Sequence, residues 1–135
     1  MKKVSFDFDS TLSRQDVQEY AKSLVDAGHE VWIVTSRYNN DTIKSSNRHL
    51  WMIEWNDNLF EIADKCGIKR DNIIFTCMIS KVEFLRNEGF LFHLDDDDVE
   101  LEEIAQSSDP CIPIQVFDAN WKDTCENILN ELHTS

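Results

Sequence analysis

The feature that most restricts the fold is a repeated alternation between short apolar runs and segments with helical periodicity. The first two apolar runs are Val4–Phe8 and Val31–Thr35, and between them Val17–Ala27 carries apolar residues every three or four positions. A continuous apolar run is typical of a strand that is buried on both faces of a parallel sheet. The alternation therefore predicts right-handed βαβ units, with helices covering both faces of one sheet.

The same pattern continues along the chain and predicts a single α/β domain over residues 1–135. Further strands are predicted at Asn72–Thr76, Phe90–Leu94 and Ile112–Phe117. Further helices are predicted at Leu50–Cys66, Val82–Asn87, Val99–Ala105 and Thr124–Leu132, with a polar loop over Tyr38–Asn47. We therefore expect a Rossmann-like, three-layer domain with a central, parallel, five-stranded sheet.

The net charge of −13 is concentrated in the last third of the chain. After residue 90, Lys122 is the single Lys or Arg, whereas that segment holds twelve Asp and Glu residues. An acidic surface repels the phosphate backbone, so binding to bulk nucleic acid is not expected. Part of this acidity is expected to be a solvated surface, and another part, beginning at Asp95, a cation site.

The four cysteines and the N-terminal segment indicate the cellular compartment of the protein. Cys66, Cys77, Cys111 and Cys125 are widely spaced and form no CxxC pair, which argues against a zinc site and a disulfide framework. No apolar run is long enough to span a membrane, and no apolar signal segment follows Met1. We expect a cytoplasmic protein with buried thiols and no membrane partner.

Polar residues follow each predicted strand. They are Asp7 and Asp9, Thr35-Ser36-Arg37, Thr76, Asp95–Asp98 and Asp118. In a parallel α/β sheet, ligands bind at the carboxyl ends of the strands, so these are the candidate site residues.

Asp7 and Asp9 are the most informative of these residues. A carboxylate at the end of a buried apolar strand is unfavourable unless a cation or hydrogen bonds compensate its charge. Two of them concentrate negative charge, which indicates a hard divalent cation with oxygen ligands. The alternative is that both are ordinary turn and helix-capping residues.

Four segments in order along the chain resemble motifs of the haloacid dehalogenase (HAD) superfamily. Val4–Leu12 (VSFDFDSTL) resembles its first motif, a hydrophobic strand that ends in DxDx[TV]. Val31–Thr35 resembles the second motif, a strand ending in Thr or Ser, and Lys81 matches the third. Phe92–Asp96 resembles the fourth, an apolar strand that ends in paired acids.

The resemblance implies a phosphate monoester hydrolase that uses Mg²⁺. Asp7 would be the nucleophile that forms an aspartyl-phosphate, and Asp9 the general acid and base, with its backbone carbonyl also reaching the metal. Asp7 and Asp96 would bind the metal directly, and Asp95 directly or through water. Asp97 and Asp98, which complete the acidic run, are expected to cap the next helix.

The resemblance also implies where the phosphoryl group binds. Thr35, Ser36 and Lys81 would hold its oxygens, and Arg37 would either contact the substrate or brace its loop. We expect the strand order 3-2-1-4-5 and no sizeable cap domain, since Leu12 to Val31 leaves room for one helix. The basic segment Tyr38–His49 is expected to be a partial lid or a substrate-binding surface, for a phosphorylated substrate that the sequence does not identify.

Several other residues have a structural interpretation. His93 is expected to pack in the core or at an edge, and Trp121 to pack the last helix against the sheet. Trp51, Met52 and Trp55 recur at helical spacing and are expected to pack in the core. Asp118 stays a weak candidate for the site.

Three other functions use the same fold or residues. A receiver-like signalling domain would need a phospho-accepting Asp after the third strand, where this chain has Thr76-Cys77. A catalytically silent binding module and a phosphotransferase both remain compatible with the sequence, although the intact Asp7/Asp9 pair favours a catalyst.

Overall fold

The fold is organised around one five-stranded sheet in which all strands are parallel. The computed structural model describes residues 2–131, and the strand order is 3-2-1-4-5, as predicted. The strands are β1 (Lys3–Phe6), β2 (Glu30–Thr35), β3 (Ile73–Phe75), β4 (Phe92–Asp95) and β5 (Ile112–Gln115). Each of the five predicted strands is present, and the ends differ from the prediction by one or two residues.

Residues 2–131 form six α-helices, of which five connect the strands and the last follows β5. They are α1 (Gln15–Asp26), α2 (Asn40–Ser46), α3 (Met52–Cys66), α4 (Val82–Leu85), α5 (Asp98–Gln106) and α6 (Trp121–Glu131). The predicted final helix, Thr124–Leu132, begins earlier than expected, and Leu132 lies outside the described residues. Within residues 2–131, no helix is long and apolar enough to span a bilayer.

The prediction of a polar loop over Tyr38–Asn47 is wrong, because α2 occupies most of it. The Asn39 side chain accepts a hydrogen bond from the Thr42 N–H at 2.7 Å, which caps the helix start. Ile43 is buried and anchors the helix to the domain. A cap followed by a single apolar residue was too short a pattern to indicate a helix.

The helices cover both faces of the sheet. Val31 and Ile33 of β2 point into the larger apolar cluster, formed with α1, α3 and α6. Trp32 and Val34 alternate with them and join a smaller cluster with α4 and α5. The chain is therefore a three-layer α/β domain, and its described residues contain no sizeable cap over the sheet edge.

The prediction that Trp51, Met52 and Trp55 pack in the core is wrong. Trp51 and Trp55 are 49% and 57% exposed, and Met52 is half-buried. The buried stripe of α3 instead runs through Asn56, Leu59, Ala63 and Cys66. Apolar side chains at helical spacing do not show by themselves which part of a helix reaches the core.

The predictions for Trp121 and the cysteines are confirmed. Trp121 is buried at the start of α6, with its ring centroid 5.5 Å from that of Tyr20 in α1. All four cysteines are free thiols, and Cys66, Cys111 and Cys125 are buried. Burial raises the pKa of the Cys111 and Cys125 thiols to about 12, so both are neutral packing residues.

Candidate active site

Asp7 lies directly after β1, in the middle of the sheet. Its backbone N–H donates to the Leu94 carbonyl at 2.9 Å, which extends the pairing of β1 with β4 by one residue. The residue is only 4% exposed. Position at the carboxyl end of the central strand thus brings this carboxyl group to the edge where ligands bind in such sheets.

The chain turns sharply after Asp7. Ser10 adopts a left-handed backbone conformation with φ of 59°, and the Leu12 N–H returns to the Asp7 carbonyl at 3.1 Å. The buried Thr11 hydroxyl lies 3.5 Å from Asp7 Oδ2. The turn leaves the Asp9 side chain more than half exposed and paired with Arg37 in the loop after β2.

Lys81 joins the carboxyl groups of two neighbouring strands. Its Nζ donates to Asp7 Oδ1 at 2.8 Å and to Asp95 Oδ2 at 2.6 Å, and the residue is 2% exposed. The Lys81 backbone N–H donates to Glu100 Oε2 at 2.8 Å, which fixes the start of α4 against α5. This contact positions the ammonium group between the two carboxylates.

Asp95 has a hydrogen-bond partner at both of its oxygens. Oδ2 accepts from Lys81 and from His93 Nε2 at 2.7 Å, while Oδ1 accepts from the N–H groups of Asp96 and Asp97 at 2.8 and 3.1 Å. His93 in turn pairs with the Ser5 hydroxyl at 2.8 Å through Nδ1. A buried chain of polar groups therefore runs from Ser5 through His93, Asp95 and Lys81 to Asp7.

Burial and neighbouring charges shift the pKa values of these groups in different directions. It raises the pKa of Asp7 well above its usual range, with the charge of Asp95 adding to the effect and Lys81 opposing it. Burial acts in the same direction on Asp95, but the hydrogen bond from His93 and the charge of Lys81 outweigh it, and the Asp95 pKa is lowered. Burial lowers the pKa of His93, so Lys81 is the cation of the cluster at neutral pH.

Asp7, Asp95 and Asp96 form a compact acidic group. Each offers one carboxylate oxygen, and these oxygens all lie within 4.8 Å of one another. Burial and the charge of Asp95 raise the pKa of Asp96, so ionising this group is unfavourable without a further cation. Both Asp95 oxygens accept short hydrogen bonds, whereas Asp7 Oδ2 has only the long contact with the Thr11 hydroxyl. Asp7 and Asp96 are therefore the better placed to bind a metal ion.

Carboxylate oxygens at this spacing fit Mg²⁺, which prefers hard oxygen ligands and retains several waters. Asp9 was predicted to reach the metal through its backbone carbonyl, and its carboxylate is not part of this group. Asp97 caps α5 by accepting from the Val99 N–H at 2.9 Å, as expected, and Asp98 is the first residue of that helix. Asp118 lies after β5, where its carbonyl accepts from the Trp121 N–H.

Arg37 binds Asp9 through two parallel hydrogen bonds. Nη2 lies 2.6 Å from Oδ1 and Nε lies 3.0 Å from Oδ2, and Nη1 donates to the Trp55 carbonyl at 2.7 Å. Of the two predicted roles, the structure shows the bracing one. Arg37 ties the turn after β1 to the loop after β2 and to α3.

Thr35 and Ser36, the predicted phosphate-binding residues, lie at the same sheet edge. Thr35 ends β2 and is fully buried, and its hydroxyl accepts from the Arg37 N–H at 3.3 Å. The Ser36 carbonyl accepts from the Met78 N–H at 2.9 Å, which connects the loops after β2 and β3. Thr35 at the end of β2 and Ser36 directly after it therefore lie on one side of β1, and Asp95 in β4 lies on the other.

Three residues of the site were not singled out from the sequence. His93 was expected only as a packing residue, although its position two residues before Asp95 in one strand places both side chains on the same face. Glu100 and Asn56 act through contacts between separate helices and loops. The Asn56 amide, for example, donates to the Tyr38 carbonyl at 3.0 Å.

Replacing Arg37 by methionine is expected to lower kcat/KM by about tenfold, because Asp9 loses the two hydrogen bonds that orient it. The free energy of unfolding should fall by about 1–3 kcal/mol, since the Arg37 side chain is only 15% exposed and the Trp55 carbonyl loses its donor. Steady-state kinetics on a phosphate ester and urea unfolding measure both quantities. Arg70→Met, which removes the exposed ion pair with Asp64, is the matched control and should leave kcat/KM unchanged. An equal loss in both variants would contradict the orienting role.

Comparison of the chain with protein-family models, with curated proteins and with solved structures found no match.

Proposed function

We propose that this chain is a magnesium-dependent phosphate monoester hydrolase of the HAD type, with Asp7 as its nucleophile. The observation that carries the proposal is the buried Asp7 carboxylate, held by Lys81 and placed within 4.8 Å of Asp96 at the carboxyl edge of a parallel sheet. A structural ion pair needs one acid for one base. Here the Lys81 ammonium group contacts Asp7 and Asp95, and a third acid, Asp96, lies within 4.8 Å of both carboxylates. When all three acids are ionised, negative charge is left for a metal ion to neutralise.

Asp7 and Asp96 would hold Mg²⁺, with Asp95 contributing directly or through water. When bound, the ion supplies positive charge that lets a phosphate dianion approach the Asp7 carboxylate. The ammonium group of Lys81 and the hydroxyl groups of Thr35 and Ser36 would bind the phosphoryl oxygens. Lys81 already contacts Asp7 at 2.8 Å, so it can hold the nucleophile and the transferring group together.

The reaction has two steps on these residues. An Asp7 oxygen attacks phosphorus, the bond from phosphorus to the ester oxygen breaks, and Asp9 gives its proton to the departing alcohol. Water then attacks phosphorus, Asp9 takes a proton from that water, and the bond from phosphorus to Asp7 breaks. The products are an alcohol and inorganic phosphate, and both aspartates return to their starting states.

Asp9 must change partner for this chemistry. Both of its oxygens accept hydrogen bonds from Arg37, so one bond has to be released before a protonated oxygen can face the substrate. The exposed position of Asp9 allows such a rotation. Arg37 keeps its other bond to Asp9, and so holds Asp9 beside the leaving group while the released oxygen turns towards it.

Hydrolysis of nitrophenyl phosphate tests the proposed function. Wild type should be active with Mg²⁺ and inactive with EDTA, and Asp9→Asn should lose about 10²- to 10⁴-fold in kcat/KM on an alkyl phosphate whose leaving group needs a proton. Activity that survives in EDTA would overturn the metal-dependent mechanism. Absence of hydrolysis across aryl and alkyl phosphates, while a phosphoryl group is passed to an added alcohol, would instead identify a phosphotransferase.

Binding of Mg²⁺ is expected to strengthen as the pH rises from about 5 to about 7. The pKa values of Asp7 and Asp96 are both raised, so protons compete with the metal ion at the acidic end of this range. Calorimetric titration at both pH values, repeated in buffers with different ionisation enthalpies, measures affinity and proton release. Equal affinities with no proton release would show that these carboxyl groups do not bind the ion.

A further inference from the structure

A cavity of about 200 Å³ opens beside Asp9. It lies between the loops after β2 and β3 and the first turn of α3, and its walls include Arg37, Tyr38, Met52, Trp55 and Met78. The walls are mainly apolar, and Asp9 lies at one end. The cavity is therefore separate from the acidic metal-binding group, but it adjoins the residue proposed to protonate the leaving group.

The apolar walls of this cavity are unusually exposed. Trp55 is 57% and Met78 is 67% exposed, although both lie next to the candidate active site. Large apolar side chains that surround a cavity rather than filling the core are typical of a binding surface. The Arg37 guanidinium lies 4.9 Å from the centre of the Phe8 ring and 5.9 Å from that of Trp55, so its flat face adds to the aromatic wall.

Two of the polar side chains that line this cavity, Arg37 and Asn56, are already engaged. Arg37 binds Asp9 and the Trp55 carbonyl, and the Asn56 amide donates to the Tyr38 carbonyl and to Asn40 Oδ1. A substrate portion rich in hydroxyl groups would be desolvated in the cavity but could not form hydrogen bonds with these engaged side chains, which is unfavourable. A flat apolar ring has no such requirement and can stack on the aromatic wall.

Resting on the proposed function, we propose that this cavity binds the leaving group and selects phosphate monoesters whose ester oxygen is attached to a small aromatic ring. The volume is below the range of about 300–1,000 Å³ that suits drug-sized ligands, so it accommodates one or two rings. A ring bonded directly to the ester oxygen would occupy the cavity while that oxygen faces Asp9. Met52 and Met78 provide adaptable contacts to such a ring.

Two non-hydrolysable ligands test the cavity by binding alone. In the presence of Mg²⁺, phenylphosphonate should bind wild type at least about tenfold more tightly than methylphosphonate, because only the former buries an aromatic ring. In Trp55→Ala this ratio should fall to about twofold or less. The substitution keeps the backbone carbonyl that Arg37 contacts. Met52→Ala provides a second variant in the wall of the same cavity.

Phe117→Ala is the matched control, because Phe117 is also a large exposed aromatic residue but lies after β5, outside the cavity. It should retain the full preference for phenylphosphonate. Equal binding of the two phosphonates to wild type would overturn the proposal, as would an unchanged preference in both Trp55→Ala and Met52→Ala.

Failure of this inference can be told apart from failure of the proposed function. If phosphate esters are hydrolysed and Asp7→Asn abolishes that activity, but the phosphonate ratio is near one, only the selection of aromatic rings is overturned. The source of the ring is identified by comparing kcat/KM for phenyl phosphate and for a phosphotyrosine peptide. A neighbouring cavity, whose lining includes Tyr38, Met52 and Arg48, would contact the peptide but not the free ester. A higher kcat/KM for the peptide or for phenyl phosphate would in both cases support an aromatic leaving group.

Discussion

Replacing Lys81 by methionine is expected to lower the free energy of unfolding by about 3–5 kcal/mol and to abolish catalysis. The substitution keeps an unbranched apolar chain one heavy atom shorter, and it removes the ammonium group that contacts Asp7 at 2.8 Å and Asp95 at 2.6 Å. Two buried carboxyl groups would then share their site without a cation. Urea unfolding, with phosphatase activity measured on the same preparation, tests this expectation.

Added Mg²⁺ should recover more stability in Lys81→Met than in wild type, because the ion then supplies the missing positive charge. Lys44→Met is the matched control, since Lys44 is exposed in α2 and should tolerate the change within about 0.5 kcal/mol. A Lys81→Met protein as stable as wild type would mean that the buried contacts around Lys81 do not compensate the charge of Asp7 and Asp95.

Replacing Asp7 by asparagine is expected to reduce kcat by at least about a thousandfold, since the amide cannot act as the nucleophile. The same change should stabilise the metal-free protein at neutral pH. The pKa of Asp7 is raised on folding, so the folded state binds its proton more readily than the unfolded state does. Ionisation of Asp7 therefore lowers stability as the pH rises above the ordinary range of an aspartate, and asparagine removes that effect.

Urea unfolding at about pH 5 and about pH 7 measures the sign of this effect. The free energy of unfolding of Asp7→Asn should increase relative to that of wild type as the pH rises. Mg²⁺ should stabilise wild type but not the variant. Asp123→Asn, on the exposed start of α6, is the control for a carboxyl group outside the site. A destabilised Asp7→Asn protein would indicate that Asp7 is a structural partner of Lys81 and no more than that.

The fold could be predicted from the sequence because its signals are local. Buried parallel strands such as Val31–Thr35 are continuous apolar runs, and Gly67, with φ of +82°, ends α3 where the sequence indicated a helix end. The loop predicted over Tyr38–Asn47 was wrong, since α2 depends on one cap and one buried Ile. The longer helices and the strands could be recognised by their apolar periodicity. The short helix α2 is stabilised by tertiary contact instead, which the sequence pattern does not show.

The candidate site was also predicted only in part from the sequence. Asp7, Lys81, Asp95 and Asp96 were selected from their positions next to strands and helices, and the structure brings them together. The engagement of Asp9 by Arg37 and the link from Ser5 through His93 to Asp95 were not predicted, because each joins residues from separate strands or loops. The exposure of Trp55 was missed because helical spacing indicates a shared face, and not what that face contacts.

Trapping of the phosphorylated enzyme tests the central claim, that Asp7 accepts the phosphoryl group. Asp9→Asn should be mixed with an aryl phosphate and Mg²⁺, because an aryl leaving group departs without a proton while hydrolysis of the intermediate is slowed. After acid quenching and digestion, mass spectrometry should find one phosphoryl group on the peptide that contains Asp7, and none in the double variant Asp7→Asn/Asp9→Asn. A phosphoryl group on another residue, or rapid hydrolysis without a labelled peptide, would contradict the proposed nucleophile.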